Sequence, residues 1–345
     1  MAPKQDLALD VYFKDVDPRL SEGITYLAAS KTLLWVDIFK GEIHRVTDID
    51  NPRESHKKLS ISARNYDGEY TFSKEYPERV GVVFPVDGAD SAAEVDEVYF
   101  AAKYGIGRGR FSTNQWQYVL PFSLCKAMEY KDPVRLRSND GNVAPNGDIY
   151  VGLMTDFHVD LNKSNEAEGC VLCINLKRGT VDLVWDHIYI PNSINWNPSH
   201  DTLYLTDSLN FKVWQMPYVN GTAQPDHKRV FVDFEDLKAE FESPEPDGSV
   251  VDVRNGNFVT AVFSTHKIQV YSSSAQLLRE LSLTHTPAIT CCVFGPNGDL
   301  FVTTASADVQ EGKDLGPGGG LFRIPAKILG FSETGVQSSK RAPEL

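Results

Sequence analysis

The sequence predicts an all-β chain folded as a six-bladed β-propeller, its ring closed by strands from the N- and C-terminal ends. Three observations lead there: a turn-and-strand phrase that recurs six times, a blade-sized spacing between its copies, and a scarcity of helical periodicity.

The phrase is a polar turn followed by three or four β-favouring residues. In chain order it runs Ala29–Thr32 before Leu33–Val36, Glu94–Glu97 before Val98–Phe100 (the weakest copy), and Pro145–Asp148 before Ile149–Gly152. It returns as Pro198–Asp201 before Leu203–Thr206, Asn255–Asn257 before Phe258–Thr260, and Pro296–Asp299 before Leu300–Thr303. Turns such as Asn-Gly-Asp accept the positive φ that tight hairpins require. The strands start 42 to 65 residues apart, and one blade of four short strands needs roughly 40 to 50. Glu42–Val46, Lys212–Met216 and Lys267–Tyr271 resume the alternation after a turn and read as antiparallel partners. Only residues 233–241 suggest a helix, short and on the surface.

A radial array leaves open edges unless it closes, and Asp10–Phe13 with Gly320–Ile324 are the candidate closing strands. The whole chain, 1–345, is expected to form a single propeller domain, with a core of about 10–326 and a polar tail at 327–345. Residues 53–58, 87–93 and 156–168 read as surface loops.

The chain has 345 residues and a formal charge of −13, which argues against holding nucleic acid or an anionic membrane by bulk electrostatics. With 41% hydrophobic and 23% charged residues it can build a sizeable core. No apolar run approaches a membrane span and the first residues do not form a secretory signal, so a cytoplasmic protein is expected. The five cysteines are an odd set with no framework spacing and read as buried free thiols. Cys170 and Cys173 would face opposite sides of one strand, which disfavours a zinc or redox pair. The sequons at Asn162 and Asn220 read as chance. Gly105–Gly109 opens no helix after a strand, so no nucleotide cradle is expected. His44, His200, His266 and His285 are scattered, with no spacing that puts two on one strand face. That argues against a histidine zinc site or a Ser-His-Asp triad.

Against this background four polar residues share one phase. Glu22, Arg137, Asn192 and Asp247 precede Leu33, Ile149, Leu203 and Phe258 by 11 or 12 residues. Equivalent positions of a blade ring converge on the axis at one mouth, so these four are expected to meet. Two carboxylates and an amide oxygen match a divalent cation, with hard oxygen donors favouring Ca²⁺, Mg²⁺ or Mn²⁺. Asp207, in Thr-Asp-Ser after a strand, is expected to hold turn backbone instead.

Over residues 18–326 the chain resembles the regucalcin and gluconolactonase family of lactone hydrolases, a six-bladed propeller group. The motifs are Glu22-Gly23 ahead of Leu34–Ile38 and Gly41–Arg45, then Arg137–Gly141, Pro191-Asn192 with Thr206–Ser208, Pro246–Gly248, and Thr290–Gly295. The family commonly follows its first motif with proline and an aromatic or histidine, whereas here Ile24, Thr25 and Tyr26 follow Gly23. The resemblance implies that Glu22, Asn192 and Asp247 ligate one divalent metal (Ca, Zn, Mn or Mg), with Asp247 also the catalytic carboxylate. It implies substrate contacts from Arg137 and Asn139 and a further acidic contact from Asp156; Asp140 joins the expected substrate-binding set and, three residues on from Arg137, is also its expected ion-pair partner. The activity implied is hydrolysis of a sugar lactone or related cyclic ester, with a small-molecule lactone as the partner. Phosphotriester hydrolysis and a calcium-binding propeller without turnover are the alternatives. In the lactonase case the metal polarises the carbonyl, and Asp247 either takes a proton from the attacking water or orients it.

Overall fold

The computed structural model describes residues 2–86, 95–159, 167–286, 288–306 and 318–330. The expected loop at 87–93, part of that at 156–168, Asn162 and the tail from 331 onward lie outside the described residues.

Six sheets follow one another along the chain and stand as the six blades of a β-propeller. Blade 1 has strands Ser21–Leu27, Thr32–Asp37, Glu42–Val46 and His56–Ser60, joined in order as an antiparallel meander. Blades 2 to 5 begin at Val82–Pro85, Leu136–Val143, Pro191–Trp196 and Glu245–Val251, and the sixth at Ile289–Phe294. Each of these first strands contacts the first strands of the blades on either side, so they form the inner wall of the ring. Each of the six repeated phrases lies on the second strand of its blade: Thr32–Asp37, Glu97–Ala101, Ile149–Thr155, Thr202–Asp207, Phe258–Phe263 and Leu300–Thr304.

The phrase recurs because every blade buries both faces of its second strand. Among the described residues, six clusters of buried apolar side chains lie one between each pair of neighbouring blades. Leu34 and Val36 meet Val98 and Phe100 across the first interface. Leu33 and Trp35 turn the other way, onto Val293 and Phe301 of blade 6. Alternation along a strand thus feeds two interfaces, and the strand reads as a continuous apolar run. The cysteines are free, with Cys125, Cys170, Cys291 and Cys292 buried. Cys170 belongs to the interface of blades 2 and 3, whereas Cys173 packs toward that of blades 3 and 4.

The chain ends meet at blade 6. Phe322–Ile324 pairs with Leu300–Thr304, and Phe13 makes one antiparallel bridge to Leu321, with Leu321 N donating to Phe13 O at 2.7 Å. An earlier segment, Lys4–Leu7, adds a fifth strand to blade 5, parallel to Leu277–Leu283. The expected core therefore extends to the N-terminal side of residue 10. It also extends past 326, because the helical turn Ala326–Leu329 buries Leu329 against the cluster that holds Leu7. The expected helix near 233–241 is a 3₁₀ turn, Glu235–Ala239, with no buried residue. Among the described residues no helix is long and apolar enough to cross a membrane.

Gly81, at the entry to blade 2, shows how tightly the inner wall is assembled. A Cβ there would sit 2.3 Å from the Asn139 carbonyl oxygen and 2.7 Å from the Ser138 carbonyl carbon. Backbone cannot yield as a side-chain tip can, so Gly81→Ala should destabilise the fold by about 1–3 kcal/mol. A lower urea midpoint at unchanged m-value checks this.

Candidate active site at the ring axis

Five of the six inner strands break register where the polar residues lie: between Glu22 and Thr25, Ser138 and Gly141, Asn192 and Ile194, Pro246 and Ser249, and Ile289 and Cys292. A bulge inserts residues that the partner strand does not match and re-aims their side chains. Gly23 and Ser193 take positive φ inside these breaks, 56° and 29°. The side chains that a regular strand would turn into a blade interface are instead presented to the axis.

Glu22, Asn192 and Asp247 come from blades 1, 4 and 5, and all three are buried. Asn192 Nδ2 donates directly to Asp247 Oδ1, and also to Ser208 Oγ at 3.3 Å. Ser208 Oγ in turn donates to the Pro246 carbonyl at 2.7 Å, which fixes the Asp247 strand against blade 4. Glu22 Oε2 accepts the Gly23 N–H at 2.8 Å. Burial drives the Asp247 carboxyl well above its ordinary range, reinforced by the charges of Glu22, Glu245 and Asp140; the Asn192 hydrogen bond opposes them. Glu22, Glu245 and Asp140 therefore lie within electrostatic reach of Asp247.

Arg137, from blade 3, lies within reach of the charges of Glu22 and Asp247. Burial pulls its guanidinium down to about 10, opposed by the charges of Asp156, Glu22 and Asp247. Nη1 donates to Ser138 O and Asn139 Oδ1, each at 2.9 Å, and the guanidinium lies 4.3 Å from the Phe157 ring centroid. Nε makes no hydrogen bond. Asn139 Nδ2 reaches the Pro191 carbonyl at 3.2 Å. Asp140 accepts the Gly141 N–H at 2.7 Å on one oxygen and the Ser193 N–H at 3.0 Å on the other. The structure thus uses Asp140 to tie blade 3 to blade 4.

Asp156 is fully buried rather than the start of a surface loop. It pairs with Lys103 Nζ, with Arg79 Nε at 3.4 Å and with His158 Nδ1 at 3.3 Å. Its carboxylate is held below the usual range by Lys103, Arg137 and Arg79 despite burial. The expected substrate contact is therefore the anchor of a cationic wall beside Arg137. Phe157, the next residue, carries the Arg137 and Arg79 guanidinium groups on its ring. Sequence reasoning missed this wall because Arg79 and Lys103 sit outside every repeated phrase. Asp207 holds turn backbone as expected, accepting the Ile190 N–H at 3.3 Å, and burial raises its carboxyl to about 6.

The histidine expectation needs correction. His44 and His56 lie on neighbouring strands of blade 1, and their rings meet with Nδ1 and Nε2 3.0 Å apart. A search for two histidines on one strand cannot find a pair made across a hairpin.

The profile of the SMP-30/Gluconolactonase/LRE-like region matches residues 20–306. An uncharacterised protein of Saccharomyces cerevisiae is 41% identical, covering 94% of this chain and 92% of that protein. The cell growth-regulated gene 1 protein of Candida albicans is 30% identical over 91% of this chain and 92% of its own length. Xenopus laevis regucalcin is 25% identical, over 62% of this chain and 70% of its own. Among solved structures, a calcium-binding protein, regucalcin, from Agrobacterium tumefaciens superposes with a TM-score of 0.73 at 20% identity, covering 100% of this chain and 99% of that one. A gluconolactonase of Xanthomonas campestris superposes with a TM-score of 0.61 at 17% identity, covering 89% and 86%. These two structures are likenesses of fold.

Behind Asp156, burial pushes the Glu78 carboxyl from 4.5 up to about 7, against hydrogen bonds from Tyr118 Oη at 2.6 Å and the Lys103 N–H at 3.4 Å. Between those two values the folded chain holds more protons than the unfolded one, so stability falls as pH rises through the window and levels off above it. Glu78→Gln should flatten that fall by roughly 3 kcal/mol, read from urea midpoints at pH 5 and pH 8.

Proposed function

The chain belongs to the SMP-30/gluconolactonase/LRE-like family, and on that premise we propose that it is a divalent-metal-dependent hydrolase that opens sugar lactones or similar cyclic esters. The observation that carries this is the direct contact of Asn192 with Asp247 between blades 4 and 5, within electrostatic reach of Glu22 from blade 1 and Arg137 from blade 3. The donor set suits a hard dication: every donor is an oxygen, and burial, reinforced by the charge of Glu22 and neighbouring carboxylates, drives Asp247 toward protonation when no cation balances it. Glu22 and Asp247 would hold the ion together with the Asn192 amide oxygen, in place of the contact that Asn192 Nδ2 now makes with Asp247. A cation bound there would act as a Lewis acid on the lactone carbonyl and stabilise the charge that grows on its oxygen.

The chain's own groups do the rest. Arg137 is held rigid by Asn139, Ser138 and Phe157, with its free Nε directed to oxygens of the ring or of the leaving group. Asp247 orients the attacking water and takes its proton, a contribution worth about 10²–10⁴ in rate. The water oxygen adds to the carbonyl carbon, the ring C–O bond breaks, and the proton passes to the departing ring oxygen, leaving a hydroxy acid.

A pH-indicator assay of aldonolactone opening tests this, with the chain first freed of metal and each divalent cation then added back. Activity should return with at least one cation, fall about 10³-fold in Asp247→Asn, and show a raised KM in Arg137→Lys. Cation binding without turnover on any lactone would identify a calcium-holding propeller instead. The likeness to a calcium-binding regucalcin makes that outcome the one to separate.

A further inference from the structure

Among the described residues one group of metal-capable side chains lies away from the axis: Asp15, His44 and His56, whose donor atoms are all within 4.8 Å of one another. His44 and His56 come from the two outer strands of blade 1, and Asp15 from the segment that follows the Phe13 bridge to Leu321. Both imidazoles lie nearly parallel to the Trp35 indole, with ring centroids 5.0 and 5.7 Å from it, and Phe13 packs on His56. The His44 and His56 rings are inclined by only 14°, and their facing nitrogens are 3.0 Å apart. Two ligand atoms of a tetrahedral zinc site are separated by roughly 3.3 Å, given bond lengths of about 2.0–2.1 Å. The indole platform therefore holds the two nitrogens at a separation within about 0.3 Å of a tetrahedral edge.

Protonation fits the same geometry. Burial lowers the affinity of both histidines for a second proton, and the neighbouring His56 lowers that of His44 further. In the neutral pair one ring nitrogen donates to the other. Moving the His44 proton to Nε2 frees Nδ1 as a ligand, and Nε2 then points toward Glu42 Oε2 at 3.6 Å. Neither His44 Nε2 nor Glu42 Oε2 has a hydrogen-bond partner, although both are buried. A carboxylate behind a ligating histidine is the usual support for a metal-bound imidazole. Asp15, Glu42 and His44 also line one small cavity with Phe13. The competing charges are Lys58, 3.0 Å from Asp15 and 3.3 Å from Glu42, and Lys40, 3.6 Å from Glu42. Lys58 is partly exposed and can keep Glu42 while releasing Asp15.

We propose that Asp15, His44 and His56 form a second metal site, for a borderline divalent ion of the zinc type, that fastens the N-terminal segment onto blade 1 beside the bridge closing the ring. The nitrogen donors distinguish it from the all-oxygen site at the axis, and it stands or falls independently of lactone hydrolysis.

The test uses the full chain carrying Asp247→Asn, which removes the axial carboxylate, freed of metal and titrated with Co²⁺ alone. Expected is a saturable visible band of tetrahedral Co²⁺ at one equivalent, displaced by Zn²⁺, with a rise in Tm on zinc addition. Adding His56→Gln should weaken Co²⁺ binding at least tenfold and abolish the Tm rise. Adding Lys58→Gln, an exposed change that leaves the fold intact, should tighten binding. Absence of a stoichiometric band in the Asp247→Asn chain, or binding that neither second change alters, overturns the site.

Discussion

The inner edge of each blade sets the constraint on which the rest of the molecule depends. First strands of neighbouring sheets touch around the axis without forming a common ladder, so their inward backbone groups are buried without strand partners. Polar side chains from the next blade meet them. Asn142 Nδ2 donates to the Ile194 carbonyl at 2.9 Å, Asn195 Nδ2 to the Ser249 carbonyl at 3.1 Å, and Thr290 Oγ1 to the Ser21 carbonyl at 2.6 Å. Ser138 Oγ bridges to blade 2, donating to the Ala101 carbonyl at 2.8 Å and accepting the Gly81 N–H at 3.1 Å. The apolar clusters lie between blade faces, while the axis itself is lined by amides and hydroxyls. A propeller of this type is therefore polar at its centre before any function is placed there.

That polarity explains how the central charges can be kept. A lone buried carboxylate costs several kcal/mol; here Asp140 is satisfied by two backbone N–H groups and Glu22 by one, so their charge is held by the scaffold. Asp247 is treated differently. Its recorded hydrogen bond is to the Asn192 amide, and the neighbouring carboxylates push against it. The site is satisfied where it is framework and left in tension where it faces the axis. Arg137 shows the same division, with one nitrogen engaged by Ser138 and Asn139 and another unengaged.

What the sequence made legible follows from this division. The second strands are buried but for an occasional end residue and repeat because six equivalent interfaces ask for the same apolar run, so Leu33, Val98, Ile149, Leu203, Phe258 and Leu300 mark all six blades. Glu22, Arg137, Asn192 and Asp247 stood out because bulges at equivalent places keep them in one phase with those strands. Features that break the repeat stayed hidden. Asp156 read as loop because it follows a strand end, yet its burial is set by Lys103 and Arg79 from blade 2, and no local pattern encodes that pairing. Lys4–Leu7 read as outside the core because a parallel outer strand on blade 5 is a long-range pairing. His56 was passed over because its partner lies across a hairpin with a helical turn, Pro52–Ser55, between them.

The two clusters also divide the chemistry of the fold by position. At the axis, the proposed donors come from different blades and are oxygens, so an ion held by them would be gripped by several blades at once. At the edge of blade 1, the donors are mainly imidazoles fixed on one indole, and only Asp15 comes from elsewhere. Ring closure combines the Phe13–Leu321 and Leu20–Ala305 bridges with the apolar cluster between blades 6 and 1, and Phe13 is set edge-on against Trp35 at 5.4 Å. The N-terminal segment at Phe13 joins blade 6 through one bridge rather than a ladder of several residues, and local opening starts where such contacts are few. Asp15 lies two residues beyond that bridge. A contact that draws it toward His44 and His56 therefore fastens the segment that carries the Phe13 bridge, and it does so without touching the axis where Asp247 lies.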